Sequence, residues 1–421
     1  MNDSRKGSQR KCNRARQCLA LAGALLLAGL AMAREPVYQM RLGDPDRAQR
    51  LAPVQLDGIT ASDSGESLSP AGLARSLANA RILFIGEEHT NFEFHRVQLE
   101  VIRALHEAGR EVLIGLEMFR YTDQAMLDRW NAGEIALADF PSESKWYEVW
   151  SHQWGYYRDI FAYARDQHIP MYGINVPREV VRTVRAKGFA ALESEAQQHM
   201  PPHIDITSAD HRKLFRAYFD EDDALHSQMS PEALEGMYQA QTTWDGAMAW
   251  NAMKALQAHG GKDAIMVVFI GSGHVAFGLG SVRQIRPHFK ERIATLIPVW
   301  VREEDGTPVA SVRASYADYV WGVPPTAGPG LPELGVSLMG SVGKEPTKLI
   351  RVDRNSSAAA AGLKVGDILR KLGGQTIDSN AALQRVCADY RWGEAVPVVI
   401  ERGGETRTLE LVFRRPTPAA H

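Results

Sequence analysis

RILFIGEEH, residues 81–89, and AIMVVFIGSGH, residues 264–274, end in the same way. In each, an apolar run breaks into Gly-x-x-His: Gly86-Glu87-Glu88-His89 in the first, Gly271-Ser272-Gly273-His274 in the second. Short continuous apolar runs suit strands buried on both faces, as in a parallel sheet. Such strands all finish at one edge, and ligands bind in the crevice outside those carboxyl ends. His89 and His274 are therefore expected to face a common site although they lie far apart in the chain. The glycines fit a strand that stops abruptly, because glycine allows backbone angles that other residues resist.

The pattern extends outward from these two runs. VLIGLE (112–117), PMYGIN (170–175) and ATLIPVWV (294–301) read as further strands, which puts Glu117 and Asn175 at the same edge. Helices are expected between them. Residues 91–108 place Phe94, Val97, Val101 and Leu105 on one face. Residues 157–167 and 237–259 follow, the latter closed by Gly260-Gly261. Alternation of this kind predicts an α/β domain with a mostly parallel sheet flanked by helices. Residues 34–80 have a weaker pattern, and Thr60–Ser69 reads as a loop. GVPPTAGPGLP (322–332) reads as a Pro/Gly linker. The expected domains are therefore 34–321 and a small β-rich module over 333–413, with turns at Gly373-Gly374 and Gly403-Gly404.

The chain has 421 residues, which fits about two domains, and a net charge of -2, which gives no sign of a nucleic-acid partner. Its beginning predicts export. Arg5, Lys6, Arg10, Lys11, Arg14 and Arg16 precede the apolar run CLALAGALLLAGLAM (18–32), which is shorter than the roughly 20 residues of a spanning helix. Ala31-Met32-Ala33 has the small-x-small form of a cleavage site. Residues 1–33 are thus expected to be a signal peptide removed near Ala33, leaving a soluble periplasmic protein. Cys12 and Cys18 would leave with it, and Cys387 would remain, with no cysteine at the cleavage point for a lipid anchor.

Around the two histidines, Glu87 or Glu88, Glu117 and His274 could bind a metal ion or do acid–base work with His89. The following helix would aim its N-terminal dipole at the site, with His95 and Gln98 on its near side. Asp245, on a stripe with Gln241 and Met248, could orient one histidine, or simply tie its helix to a loop. The stretch KWYEVWSHQWGYYRDIFAY (145–163) carries Trp146, Tyr147, Trp150, His152, Trp154, Tyr156 and Tyr157. Aromatics wall pockets for flat ligands, and Tyr or His can ligate haem iron, but they also fill ordinary cores.

These residues together resemble a known family. GEEHTNFEFHRVQLEVI, GLEMF, Trp150, Tyr157, NVPR (175–178), AQTTWDGAMAWN and GSGHV, in that order, are similar to the ChaN-like haem-binding proteins of the Tiki superfamily. The resemblance covers about 81–301. It implies haem as cofactor and partner, a link to haem or iron uptake, and a site drawn from Glu87, Glu88, His89, His95, Glu117, Asp245 and His274, with Tyr157 of the aromatic run as a further cofactor-binding candidate. The superfamily also holds metal-dependent hydrolases. On that alternative His89, Glu117 and His274 would hold a divalent metal ion, with Glu87 or Glu88 as general base. The tail resembles a PDZ domain of the HtrA type, with Leu334-Gly335-Val336-Ser337-Leu338 as the loop that holds a peptide C-terminus and SAAAAGLKVGDI (357–368) closing the groove. Self-association into a homo-oligomer is compatible with either reading.

Overall fold

The computed structural model describes residues 35–220, 230–303, 305–326, 329–339 and 347–415. Residues 1–33, the stretch read as a signal peptide, lie outside them. The chain divides into two compact units, Met1–Met40 and Arg41–His421. The described part of the first has a 3-10 turn over Val37–Gln39. Everything below concerns the second.

Its centre is an eight-stranded sheet. The strands are β1 (Ile59–Ala61), β2 (Glu66–Leu68), β3 (Ala80–Glu87), β4 (Val112–Arg120), β5 (Met171–Asn175), β6 (Ile265–Gly271), β7 (Arg292–Trp300) and β8 (Tyr319–Val323), in the spatial order β2-β1-β8-β7-β3-β6-β4-β5. From β8 to β5 every neighbouring pair is parallel. The hairpin β1–β2 closes the other edge antiparallel. The expected α/β architecture is thus present. Two parts depart from expectation. Thr60–Ser69 contains the hairpin rather than a loop, and Gly322 lies inside β8, so the sheet continues into the stretch assigned to the linker.

β3 and β6 are central and adjacent, with Glu87 paired in register with Gly271. That pairing brings the two Gly-x-x-His turns side by side. Along β6, Ile265, Val267 and Phe269 join the core beneath the helix Phe92–Glu107. Met266, Val268 and Ile270 alternate with them and are equally buried on the opposite face. The helix Pro231–His259 contacts β4, β5 and β6 but contributes nothing to that first core, so it covers the second face. It starts earlier than its hydrophobic pattern suggests, because Ser230 caps it by accepting from the Ala233 N–H at 3.2 Å, with Pro231 at the first position.

Gly86 is required for a different reason from the one expected. Neither Gly86 nor Gly271 has positive φ. A Cβ on Gly86 would lie 2.9 Å from Ser272 Oγ and 3.0 Å from Ile297 Cγ1. The strand ends approach too closely for a side chain. Gly86→Ala is expected to cost about 1–3 kcal/mol by overpacking, read as a shift in the denaturant midpoint at unchanged slope.

Residues 333–413 have a separate core, which includes Leu349, Leu369, Leu383, Val398, Ile400 and Phe413. Val336–Leu338 pairs antiparallel with Leu349–Val352. A four-stranded antiparallel sheet of 375–376, 368–372, 395–402 and 405–412 lies beside them. The helix Asn380–Cys387, capped by Ser379, completes the module.

Candidate paired-histidine site

His89 follows β3 directly. Its Nδ1 lies 2.8 Å from Glu87 Oε1. His274 follows β6, and its Nδ1 lies 2.7 Å from Asp245 Oδ1 on the long helix. An ionised carboxylate only accepts, so each Nδ1 donates. Each ring is then held in one orientation; His89 Nε2 is left on the side away from Glu87, whereas His274 Nε2 lies 3.5 Å from Glu117 Oε1. The two rings flank Gly271. A Cβ there would touch His89 Nε2 at 3.5 Å and His274 Cδ2 at 3.6 Å. Both side chains keep some exposure, 29% for His89 and 13% for His274.

Their supports are buried. Glu87 Oε1 also accepts from the Tyr157 hydroxyl at 2.6 Å, and its Oε2 accepts from Gln98 Nε2 at 2.5 Å. Burial would raise the Glu87 carboxyl, but His95, His89 and Tyr157 together outweigh it and hold it down at about 2. His95 faces acceptors at both nitrogens, Gln98 Oε1 at 2.9 Å and the His89 carbonyl at 3.2 Å. Burial would lower the His89 imidazole, yet its bond to Glu87 and the carboxylates of Glu117, Glu87 and Glu88 raise it above the ordinary histidine range. His274 behaves alike. Burial pulls it down, while Asp245 and then Glu117 hold it up against the charge of His89. Asp245 is wholly buried and lies between His274 and His211, whose Nε2 is 3.2 Å away.

The cleft in front of the imidazoles has a volume of about 390 Å³. It is lined by His89, His274, Glu117, Met118, Trp150, His152, Val176, Gln241 and Trp244, with Arg120 and Arg178 at its rim. The Trp150 ring meets His89 edge-on at 4.8 Å, and the His152 ring lies 4.8 Å from it at 38°. Burial, reinforced by the charge of His89, pushes His152 down to about 3, so it is neutral.

His89, Glu117 and His274 thus come together as expected, whereas other expected members do not reach the cleft. Glu87, His95, Tyr157 and Asp245 are buried behind it and act by holding the two histidines. Tyr157 has no exposure, so its hydroxyl meets Glu87 and Trp150 rather than a ligand. Glu88 is exposed and accepts from Asn91 Nδ2 at 3.0 Å. Sequence reasoning missed His211 and Arg120, gave Trp244 no role beyond its place in a family-like run, and saw His152 only as part of an aromatic run.

The residues do not fit the metal-hydrolase arrangement. Glu117 Oε2 already accepts from the Gly271 N–H at 2.7 Å. Its Oε1 is 3.5 Å from His274 Nε2. Among the described residues no group of three or more His, Cys, Asp or Glu is spaced to hold a metal ion. Glu87, the general base on that reading, is buried, and both of its oxygens already accept hydrogen bonds, from His89, Tyr157 and Gln98.

Residues 73–285, half of the chain, match the family described as haem-binding uptake, Tiki superfamily, ChaN. The chain belongs to the ChaN haem-binding family. A second match, over residues 332–412, is to the PDZ domain. The ChaN-family domain is similar to a solved structure described as cofacial heme binding to ChaN of Campylobacter jejuni, at 18% identity and a TM-score of 0.49, covering 64% of this chain and 98% of that one. The module after it is 37% identical over 60 residues to the serine protease Do-like HtrA of Lactobacillus helveticus, and the chain spans only 14% of that protease. It also aligns with a serine endoprotease from Yersinia pestis, at 24% identity and a TM-score of 0.18, covering 20% of this chain and 29% of that one.

In the PDZ module, Gly335 has φ +71°, and a Cβ on it would lie 2.3 Å from Ser356 Cβ. Both the backbone angle and the space require glycine there. Strand 336–338 and helix 380–387 border a groove to which Glu333, Leu334, Leu383 and Cys387 contribute.

Proposed function

We propose that the protein binds haem in the cleft at the carboxyl edge of the sheet and takes part in haem or iron uptake in the periplasm, while its PDZ module holds the C-terminus of a partner. The observation that carries the reading is the pair of buried carboxylates, Glu87 and Asp245, that lock two imidazoles around Gly271 with Nε2 unclaimed by either carboxylate. Haem, when bound, would supply an iron centre that an imidazole nitrogen can coordinate. His89 is the more exposed of the two and is assigned that role, with His274 beside it. Trp150 and Trp244 would lie against the macrocycle, and Arg120 and Arg178 would meet its carboxylates. The periplasmic assignment rests on the basic, apolar and small-residue order of 1–33. Among the described residues no helix is long and apolar enough to cross a membrane. Titration of the full chain with haemin tests the reading. A saturable shift of the Soret band is expected, and a spectrum equal to that of free haemin at every ratio would overturn it.

For the PDZ module, a C-terminal carboxylate would be held by backbone N–H groups of 334–338 while the peptide pairs with strand 336–338. Glu333 borders that loop. Burial and the nearby Asp353 carboxylate push its carboxyl up to about 7, offset in part by Arg351. The groove end thus gains a repelling charge as pH rises through about 7. Affinity for a peptide with a free C-terminus is expected to fall roughly threefold to tenfold between pH 6 and 8. Fluorescence anisotropy with a labelled peptide measures this, and Glu333→Gln should flatten the profile.

A further inference from the structure

The segment 148–156 lies between the histidine cleft and the PDZ module, and it is fixed from both sides. Gln153 Nε2 donates to the Pro332 carbonyl. The Tyr156 hydroxyl accepts from the Leu331 N–H at 2.8 Å, and Glu148 pairs with Arg385 of the PDZ helix at 2.5 Å. Trp392 Nε1 donates to the Gly330 carbonyl at 2.9 Å, which ties the module to the same connecting segment. A Cβ on Gly155 would lie 2.8 Å from Leu331 Cδ1, so the contact is close as well as polar.

The groove beside the 334–338 loop therefore has a second wall. Its cavity, of about 450 Å³, is lined by Glu333–Leu338, Arg351, Asp353 and the helix 380–387 on one side and by Thr90, Ser151 and His152 of the ChaN-family domain on the other. Ser151 and His152 also line the histidine cleft. The two cavities share a partition two residues wide. A peptide paired antiparallel with 336–338 ends at the start of that strand, so its last residue is the one nearest the partition.

We propose that the peptide site is composite: Ser151 and His152 close the PDZ groove at its carboxylate end, recognise the terminal residue of a peptide with a free carboxylate, and link its binding to that of the ligand in the histidine cleft. The chemistry suits this role. Leu334, Val336, Leu383 and Cys387 offer an apolar seat for the last side chain. The Ser151 hydroxyl and the His152 ring, both lining the groove, offer polar atoms to the carboxylate. His152 then reads occupancy of the groove and transmits it to His89, whose ring is 4.8 Å from its own. Two ligands that bear on one wall alter each other's affinity by the same factor. The composite groove rests on the PDZ reading, and the linkage rests also on the haem reading.

The test uses the full chain and a fluorescein-labelled decapeptide ending in Val with a free carboxylate, against its C-terminally amidated form. Ser151→Trp, at an exposed position, and His152→Ala are each expected to weaken binding of the free-acid peptide about tenfold with an unchanged circular dichroism spectrum. Saturating haemin should shift the peptide Kd at least roughly fivefold, and saturating peptide should shift the haemin Kd by the same factor. Equal peptide affinity in the native protein and both variants would overturn the composite site, as would equal affinity for the acid and the amide. Unlinked affinities with both ligands bound would overturn the linkage. Failure of haemin to bind at all would instead count against the proposed function, and the peptide arm would still decide the groove.

Discussion

His89→Ala should weaken haemin binding by more than the roughly 10–100-fold expected from losing a residue that only supports a ligand. The reason is positional. His89 has the greater exposure of the paired imidazoles, Glu87 fixes its Nδ1, and Trp150 and His152 stand around its ring. Removing it takes away the nitrogen assigned to the iron and leaves Glu87 with one partner fewer. His274→Ala should have the smaller effect, because His274 is less exposed and is turned toward Glu117. The measurement is the haemin Kd of each variant from the Soret band. Equal losses in the two variants would argue that both histidines ligate. No loss in His89→Ala would remove it from the site.

Glu87→Ala should be the most destabilising substitution at the site. Glu87 is buried and joins His89, Tyr157 and Gln98 in one hydrogen-bonded group, with His95 at 3.8 Å. Breaking such a group strands buried polar atoms and costs about 3–5 kcal/mol. In a domain of this size that lowers Tm by roughly 10 °C. The effect should depend on pH with a definite sign. The folded carboxyl is depressed to about 2 from an ordinary value near 4.5. Its contribution, on the order of 3 kcal/mol, is therefore complete above about pH 4.5 and is lost as pH falls toward 2. Thermal melts of the native protein and the variant at pH 7 and pH 3 should converge as pH falls. A gap that stayed constant would show that the carboxylate charge contributes nothing.

Much of the fold could be read from local pattern. The buried strands 80–87, 112–120, 171–175 and 265–271 are continuous apolar runs, and each ends in a residue that the parallel topology places at one edge. The pairing of His89 with His274 follows from that topology alone, since β3 and β6 are neighbours in register. What escaped depends on contacts between distant segments. The strands Ile59–Ala61 and Glu66–Leu68 are three residues each, and their polar residues look like a loop until β8 offers an edge to pair with. Tyr319–Val323 is cut short by the prolines that follow, and its last two residues fall in the stretch read as linker.

The same distinction holds for the site. His89, Glu117 and His274 were legible as residues at strand ends. The division between those that face the cleft and those that hold them was not, because Glu87 and Glu88 are adjacent in sequence and differ only in which side of the strand they leave. Tyr157 looked like a ligand because it is aromatic and close, and only its burial against Glu87 shows its supporting role. His211 had no signal, since its partner Asp245 comes from a helix far along the chain.

The central claim is that haem is held at the paired-histidine edge of the sheet. Its most direct measurement is haemin titration of the full chain beside the double variant His89→Ala/His274→Ala, read in the Soret band with circular dichroism confirming that both are folded. The account predicts a saturable, shifted band for the native chain and its loss in the folded double variant. An identical shifted band in both proteins would contradict it and move the haem away from these histidines.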